Sequence, residues 1–313
     1  MGARVIDFAK GHGTLNDFVL FTDADDLVRL TDAQVQALCH RRAGLGADGV
    51  LRAVRARHVP EWTGEADLWF MDYRNADGSI AQMCGNGLRV FARYLVESGL
   101  ADGPRVRVGT RAGLRVATLL DDGTVAASMG PARVGGHVTV RPGGSALDFA
   151  GRSVDVGNPH AVCFVPPASD DQDLDEQAAG SGRADPGEPS QGGESVGSLD
   201  ALDLTRPPLW EPASAFPDGV NVEFVEVVGA ARLRMRVHER GVGETCSCGT
   251  GVVAAAAAYR ARTPDAPSEI GVDVPGGSLI VRFDRDEAQL VGPAVIVAHG
   301  RVDVDACVGK VAP

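Results

Sequence analysis

The sequence has no long apolar segment and no cluster of basic residues. Its longest run of small and apolar residues, at 251–259, is too short to span a bilayer. Residues 1–7 lack the apolar stretch of a secretory signal. The 42 Asp and Glu outnumber the 30 Lys and Arg, which disfavours nucleic-acid binding because phosphate contacts need clustered cations. We therefore expect a cytoplasmic protein that binds neither membranes nor nucleic acids.

Cysteine is also scarce. The chain has six cysteines in 313 residues, which is too few for a disulfide scaffold, and in a reducing compartment they would be free thiols. Cys39 lies in a helical apolar pattern and Cys163 in an apolar strand pattern. We predict both to be buried and inert, so any thiol chemistry would fall on the cysteines at or near a repeated motif.

That motif is C-G-x-G, and it occurs twice, about half the chain apart. C-G-N-G at 84–87 precedes residues 87–97, whose apolar positions recur with a helical period. C-G-T-G at 248–251 precedes the alanine-rich, strongly helical residues 252–261. Alternating strand patterns flank both motifs. We therefore predict two similarly folded halves that face each other, each with a helix packed against a curved β-sheet.

One segment does not fit this alternation. Residues 168–200 are rich in Asp, Glu, Gly, Ser and Gln and contain almost no large apolar residue, so we predict a disordered acidic insertion. We expect an N-terminal lobe at 1–130, to which strands at about 294–313 return, and a C-terminal lobe at 131–293, which carries the insertion.

The chemistry predicted for the two motifs is proton transfer at an anionic substrate. At a helix start, unpaired backbone N–H groups and the macrodipole favour thiolate, so we expect lowered thiol pKa values at Cys84 and Cys248. The glycines allow backbone N–H groups to approach a carboxylate closely. With one sulfur on either side of an α-carbon, one thiolate would remove the α-proton while the opposite thiol delivers another. Such a closed, dry site would need no cofactor.

A second cysteine lies close to one motif. Cys246 and Cys248 form a Cys-x-Cys pair, which on the residues alone could serve a redox or metal site. No second pair follows at zinc spacing, so we predict no metal. The residues alone leave open which of the two cysteines is the reactive one.

The motifs together resemble those of diaminopimelate epimerase, a pyridoxal-independent isomerase of lysine and peptidoglycan precursor biosynthesis. They are GHGTLNDF at 11–18, NADGS at 75–79, CGNG at 84–87, GNPH at 157–160, VN at 220–221, ERGVGET at 239–245, CGTG at 248–251 and PGGSL at 275–279. The resemblance implies an α+β fold of two pseudo-symmetric lobes. Each lobe would be a curved, barrel-like antiparallel or mixed sheet around a central helix, with the active site in the cleft between them.

The resemblance also implies roles for individual residues. Cys84 and Cys248 would be the base and acid that convert LL-2,6-diaminopimelate to the meso form without a cofactor, which selects Cys248 over Cys246. His160, expected beside Cys84, and Glu239 would tune the thiol pKa values. The implied substrate contacts are Asn16, Asn75, Gly85, Asn86, Asn158, Asn221, Glu239, Arg240, Gly249 and Thr250.

One departure from the family pattern and three alternatives accompany this interpretation. Gly49 stands where some relatives carry Gln, which affects one distal contact. Proline racemases and hydroxyproline epimerases share the two-cysteine logic but tend to carry His at the position of Asn86. Isomerases of the phenazine-biosynthesis type lack the paired cysteines. The alternative from a different functional class is a thiol redox or metal-binding protein. The sequence leaves the oligomeric state open, with a homodimer as one arrangement.

Overall fold

The computed structural model describes residues 4–166, 198–285 and 287–308. The helices are α1 (Asp32–Cys39), α2 (Gly85–Glu97), α3 (Gly249–Arg262) and α4 (Val304–Val308). The strands are β1 (Val5–Gly13), β2 (Asn16–Thr22), β3 (Gly49–Arg55), β4 (Trp69–Asn75), β5 (Arg105–Thr110), β6 (Gly113–Leu119), β7 (Val125–Pro131), β8 (Arg133–Arg141), β9 (Phe149–Asp155), β10 (Pro159–Phe164), β11 (Leu209–Glu211), β12 (Asn221–Gly229), β13 (Arg232–Glu239), β14 (Gly243–Thr245), β15 (Glu269–Val274), β16 (Gly277–Asp284), β17 (Glu287–Gly292) and β18 (Val295–Asp303).

Strand pairing divides the chain into two halves with the same topology. One half runs in the spatial order β18, β1, β2, β3, β4, β5, β6, β7. The other runs β8, β9, β10, β12, β13, β15, β16, β17. In both, the successive pairings are antiparallel, antiparallel, parallel, antiparallel, parallel, antiparallel and antiparallel. The predicted α+β class with two pseudo-symmetric lobes is confirmed.

The two halves join through one pair of equivalent strands. The last strands of the two halves, β7 and β17, pair antiparallel to each other. Strand β18 lies near the C-terminus but pairs with β1, so the chain returns to the first half. On this pairing we propose lobe boundaries close to residues 130 and 294.

Each lobe encloses one helix. Helix α2 contacts β1, β2, β3, β6, β7 and β18, and α3 contacts β8, β9, β10, β12, β13, β15, β16 and β17. A helix that touches strands across a whole half must lie inside the curve of that sheet. The sequence allows this because α3 is apolar on every side: Val252–Tyr259 are all buried, and the alanines let strands approach closely.

Two smaller elements follow local sequence signals. Thr31 caps α1 in a reciprocal capping box with Gln34. Cys39 at the end of this helix is 4% exposed and Cys163 in β10 is fully buried, which confirms both as core residues. Among the described helices, none is both long and apolar enough to cross a membrane.

The predicted disordered insertion, residues 168–200, lies mostly outside the described residues. Its last three residues are described, and there the prediction is wrong. Leu199–Ala201 form a 3₁₀ turn, and Leu199 is buried in an apolar cluster with Phe149 and Phe224. The buried Leu199 side chain, the Arg236 hydrogen bond to the Leu199 carbonyl and the pairing of Asp200 with Arg234 hold these residues in place.

Candidate active site

The two C-G-x-G motifs place the N-terminal ends of α2 and α3 against each other. A Cβ atom added to Gly249 would lie 3.2 Å from the Cα of Gly85 and 3.2 Å from the backbone nitrogen of Asn86. A Cβ added to Gly85 would lie 2.8 Å from the Cε of Met129. A side chain at Gly249 would therefore press against the start of α2, and one at Gly85 would press against Met129.

Cys84 and Cys248 are the N-cap residues of these helices. The Sγ of Cys84 accepts a hydrogen bond from the Gly87 backbone N–H at 3.3 Å, and the Sγ of Cys248 accepts one from Gly251 at 3.4 Å. Both cysteines have extended backbones, so each side chain folds back over the first turn, as N-cap side chains do. The capping geometry follows from local sequence, and the packing of α2 against α3 places the two sulfurs at the junction of the lobes.

The strands beneath the motifs carry matched residues. The parallel pair β2–β3 brings Phe18 beside Gly49, and the equivalent pair β10–β12 brings His160 beside Asn221. An asparagine lies two residues before Phe18 in one lobe and two residues before His160 in the other; these are Asn16 and Asn158. The pseudo-symmetry therefore extends to the residues that surround each cysteine.

Burial reverses the predicted direction of the Cys84 pKa. Loss of hydration raises the pKa of the Cys84 thiol to about 11, although the N–H groups of Gly87 and Asn86 and the charge of Arg89 act in the opposite direction. The expectation of a lowered pKa is wrong because the helix terminus cannot compensate for the removal of water from a thiolate. The thiol accordingly donates to the Oδ1 of Asn16 at 3.6 Å.

Cys248 is held as a thiol more strongly. Its pKa is raised well above the usual range, first by burial and then by the negative charges of Glu239 and Glu223. Burial also raises the pKa of Glu239, while hydrogen bonds from the Thr245 hydroxyl and the Cys248 thiol oppose that rise. In the unliganded protein both sulfurs therefore favour the protonated form.

His160 is linked to Cys248 rather than to Cys84, the cysteine beside which it is expected. The ring is fully buried. Its Nδ1 lies 2.7 Å from the Oε1 of Glu223 and its Nε2 lies 3.0 Å from the Oδ1 of Asn158. The Nδ2 of Asn158 donates to the Thr250 hydroxyl at 3.3 Å, and that hydroxyl is 3.5 Å from the Sγ of Cys248.

Asn86 connects the lobes. Its Nδ2 donates to the Ser247 carbonyl at 3.1 Å and to the Oδ1 of Asn16 at 3.3 Å, while its Oδ1 accepts from Arg89 at 3.0 Å. Across the same junction, the hydroxyls of Thr14 and Ser247 lie 2.9 Å apart. The side-chain amide of Asn86 is therefore satisfied inside the protein.

Arg89 is a site residue that the sequence analysis missed. Its guanidinium is fully buried, and its hydrogen-bond acceptors in the described residues are all uncharged: the carbonyls of Gly85 and Pro293, Thr14 Oγ1 and Asn86 Oδ1. Burial lowers the pKa of Arg89 to about 10, and Cys84 is the charge that raises it. The available signal was an arginine between Leu88 and Val90 in the apolar run of α2.

Glu223 is a second residue that the sequence analysis missed. It is fully buried, and its carboxylate packs directly against Gly251. A Cβ on Gly251 would lie 2.5 Å from the Oε1 of Glu223. This contact explains the second glycine of the C-terminal motif. The signal was an acidic residue among the apolar residues of β12.

Three other predicted contacts form hydrogen bonds with groups other than the two sulfurs. Asn75 ends β4 and binds the Ser79 hydroxyl at 3.0 Å. Asn221 accepts from the Arg240 backbone N–H at 3.0 Å, and the Arg240 guanidinium is exposed and donates to the Asp218 carbonyl. At Gly49 a Cβ would lie only 2.6 Å from the Arg74 carbonyl oxygen, so this chain has no room there for a side chain.

Cys246 differs from its neighbour. It is exposed and its carbonyl accepts from the Gly276 N–H at 2.9 Å, whereas Cys248 is 6% exposed and caps α3. In the part of the chain that the structure describes, no group of three or more His, Cys, Asp or Glu side chains could hold a metal ion.

Comparison with known proteins gives the family. The family model described as "Diaminopimelate epimerase" matches residues 8–135 and 195–304. The chain belongs to the diaminopimelate epimerase family. The diaminopimelate epimerase of Thermobifida fusca is 47% identical over 305 residues, which cover 96% of this chain and 98% of that protein. That of Streptomyces coelicolor is 46% identical over 309 residues, covering 95% and 96%. Members of this family are amino-acid isomerases.

Solved structures share the fold of this family member at low identity. A hydroxyproline epimerase from Agrobacterium vitis superposes with a TM-score of 0.64 at 15% identity, covering 99% of this chain and 96% of that one. A phenazine biosynthesis protein from Bacillus anthracis gives a TM-score of 0.60 at 15% identity, covering 96% and 99%. At such identities the likeness establishes the two-lobed fold and says nothing of the substrate.

Proposed function

We propose that this chain epimerises LL-2,6-diaminopimelate to meso-diaminopimelate with Cys84 and Cys248 as its two bases. The observation that carries the proposal is the pair of matched cysteine N-caps on two helices whose first glycines are in contact. Family membership supports the substrate. The lobes approach the α-carbon from opposite sides, and that is the geometry an inversion needs.

The helix termini would bind the reacting end of the substrate. The first-turn N–H groups of a helix point out along its axis, so both helices direct donors to their junction at Gly85 and Gly249. A carboxylate bound there brings negative charge to two positive helix ends. As the α-carbon loses its proton, charge passes into this carboxylate, so the same donors stabilise the transition state.

The proton balance uses one thiolate and one thiol. The thiolate takes the α-hydrogen as a proton, and the C–H electron pair stays on the substrate as a carbanion delocalised into the carboxylate. The opposite thiol then gives its proton to the other face of the carbon. One turnover leaves the two cysteines with exchanged protonation states, so the reverse direction uses the same groups in swapped roles.

The charges around the sulfurs would select the thiolate. Arg89 contributes a buried positive charge near Cys84, whereas Glu239 and Glu223 place negative charge near Cys248. We propose that Cys84 ionises first and that Cys248 begins as the acid. Glu239, which accepts from the Cys248 thiol, and His160 would tune the two sulfurs.

The remaining predicted residues would form the amino-acid clamp. They are Asn16, Asn75, Gly85, Asn86, Asn158, Asn221, Glu239, Arg240, Gly249 and Thr250. Asparagine amides offer both donors and acceptors, which suits the ammonium and carboxylate groups at either end of diaminopimelate. A guanidinium such as that of Arg240 pairs with a carboxylate through two hydrogen bonds.

Isotope exchange tests this proposal. In deuterated water, LL-diaminopimelate should become meso-diaminopimelate with one deuterium at the inverted α-carbon, which mass spectrometry detects. Trans-4-hydroxy-L-proline serves as the comparison substrate and should not exchange. Exchange of hydroxyproline alone would replace the proposal with the cyclic-substrate alternative, and exchange of neither would reject it.

Two further properties belong to the proposal. A cytoplasmic location is supported by the free thiols of Cys84, Cys163 and Cys248, because thiols persist in reducing compartments. We propose a homodimer as the working assembly, and light scattering on the purified protein decides between one and two chains.

A further inference from the structure

The two lobes differ at one pair of equivalent positions. Beneath α2, the space beside Gly87 is bounded by the apolar side chains of Phe18 and Leu51, both 3.4–3.5 Å from a Cβ placed there. Beneath α3, the space beside Gly251 is bounded by Glu223. The strand registers show that both apolar residues of the first lobe are replaced by ionisable residues in the second. Where β2 and β3 carry Phe18 and Leu51, β10 and β12 carry His160 and Glu223.

Burying an apolar pair of side chains stabilises a fold, whereas burying an ionisable pair carries a desolvation penalty. His160 and Glu223 are both fully buried, and the second oxygen of Glu223, Oε2, has no hydrogen-bond partner among the described residues. Burying such a pair costs stability that the apolar solution in the other lobe does not. A fold that repeats its topology so closely therefore retains this pair for something other than stability.

The pair begins a chain of hydrogen bonds that ends at Cys248. From Glu223 the contacts run to His160 at 2.7 Å and on to Asn158 at 3.0 Å. They continue to Thr250 at 3.3 Å and to the Sγ of Cys248 at 3.5 Å. Asn16, the counterpart of Asn158, instead contacts Cys84 directly.

The chain has a direction. Asn158 presents its carbonyl oxygen to the Nε2 of His160, so Nε2 must carry a proton. Its amide nitrogen donates to the Thr250 oxygen, which frees the hydroxyl proton of Thr250 to point at the Cys248 sulfur. Each link thus donates toward Cys248, and a donated hydrogen bond favours the thiolate over the thiol.

Glu223 holds the ring in that direction. Its Oε1 lies 2.7 Å from the Nδ1 of His160, and this contact keeps Nε2 turned toward the Oδ1 of Asn158. Without Glu223, Nδ1 loses the contact that fixes the ring, and the chain loses its first donor.

We propose that Glu223 is a positioning residue that, through His160, Asn158 and Thr250, directs a donated hydrogen bond to the sulfur of Cys248. This rests on the proposed function only for its consequence in turnover. The hydrogen-bond chain itself can be tested without any substrate. It gives the two cysteines different supports: Cys84 lies near a buried cation, and Cys248 receives the end of a directed relay.

The test measures alkylation of each cysteine by iodoacetamide as a function of pH, read by peptide mass spectrometry on the full chain. In Glu223→Leu, Cys248 should react about tenfold more slowly than in Glu223→Gln at a given pH, which corresponds to one pKa unit, while Cys84 reacts equally in both. Both variants remove the negative charge of Glu223, which raises the pKa of the Cys248 thiol. Only Gln keeps an amide N–H that can donate to Nδ1 and leave the proton on Nε2.

Glu226→Leu is the matched control. Glu226 lies on the same strand and is 8% exposed, but it pairs with Arg234, outside the chain of contacts, so its loss should leave Cys248 alkylation unchanged. Equal Cys248 profiles in Glu223→Leu and Glu223→Gln would overturn the proposal, since that would indicate a change of charge or packing rather than of proton position.

A second comparison guards against a folding defect in Glu223→Leu. Thr250→Val removes the last donor, whereas Thr250→Ser retains the hydroxyl and should react like the wild type. Adding Glu223→Leu to Thr250→Val should slow Cys248 no further, because the chain is already cut. Full additivity of the two effects would refute the relay. In turnover, Glu223→Leu should lower kcat about tenfold and leave KM within twofold.

Discussion

Gly85 and Gly249, the first residues of the two central helices, are in van der Waals contact across the junction of the lobes. The contact is so close that a Cβ on Gly249 would meet the Cα of Gly85 at 3.2 Å and the side chain of Leu290 at 3.1 Å. The separation of Cys84 and Cys248 therefore depends on residues that carry no side chain. The closeness of two backbones thus sets the relative placement of the two sulfurs.

Gly249→Ala should reduce kcat/KM about tenfold to a hundredfold, because small displacements of reacting groups are expensive in rate. The added methyl group separates the helices by a few tenths of an ångström and moves one sulfur from the α-carbon. Gly136→Ala is the control: nothing lies within 4 Å of its Cβ position and its backbone is not left-handed. Equal activity of the two variants would show that the contact does not set the geometry.

Cys84→Ala and Cys248→Ala should each abolish conversion of LL-diaminopimelate, since inversion needs both a base and an acid. Cys246→Ala, two residues from Cys248 and exposed, should retain full activity. Polarimetry or chiral chromatography of the product measures all three. Conversion that survives in either of the first two variants, or is lost in the third, would contradict the assignment of the second cysteine.

The pH dependence of thiol reactivity follows from burial. Because the pKa of Cys84 is raised to about 11 and that of Cys248 lies well above its usual range, the thiolate fraction near neutral pH is small. Alkylation of Cys84 in the unliganded protein should rise about tenfold per pH unit from pH 7 to about 10. A plateau near pH 8 would show that the helix terminus outweighs burial.

The same shift affects stability. A thiol that ionises near pH 8.5 in an unfolded chain and at about 11 in the folded protein keeps its proton longer when folded. Its contribution is complete below about pH 8.5 and is lost as pH rises toward 11. Wild type should therefore lose more free energy of unfolding than Cys84→Ala between pH 8 and 10, as denaturant titrations can measure. Parallel losses would contradict this.

Arg89→Met should slow the ionisation of Cys84. The guanidinium donates to buried uncharged acceptors, and the variant leaves these acceptors without a donor. The melting temperature should therefore fall. Cys84 alkylation should slow while Cys248 is unaffected, and kcat/KM should fall at least tenfold.

Arg93→Met, one helical turn further on, provides the comparison for Arg89→Met. Its guanidinium reaches the Gly123 carbonyl near the surface, so kcat/KM and Cys84 reactivity should match the wild type. If folded Arg89→Met leaves Cys84 reactivity unchanged, the charge of Arg89 does not stabilise the thiolate.

Much of the site follows from local sequence. Cysteine caps a helix and the following glycines leave its first turn open, so both helix starts were predictable from four residues each, as was the repeat of a helix within a curved sheet. The spacing of Thr31 and Gln34 likewise indicates the capping box that these two residues form. These features depend on neighbours in the chain, and neighbours are visible in sequence.

The sign of the thiol pKa, the buried charges of Arg89 and Glu223, and the link from His160 to Cys248 were decided by tertiary structure. Each depends on how much water the packed lobes exclude and on which strands lie side by side. Helix geometry is a local property, whereas hydration and long-range contacts are properties of the whole fold. The sequence alone therefore identified the two sulfurs, and only the folded chain determined which groups control their protons.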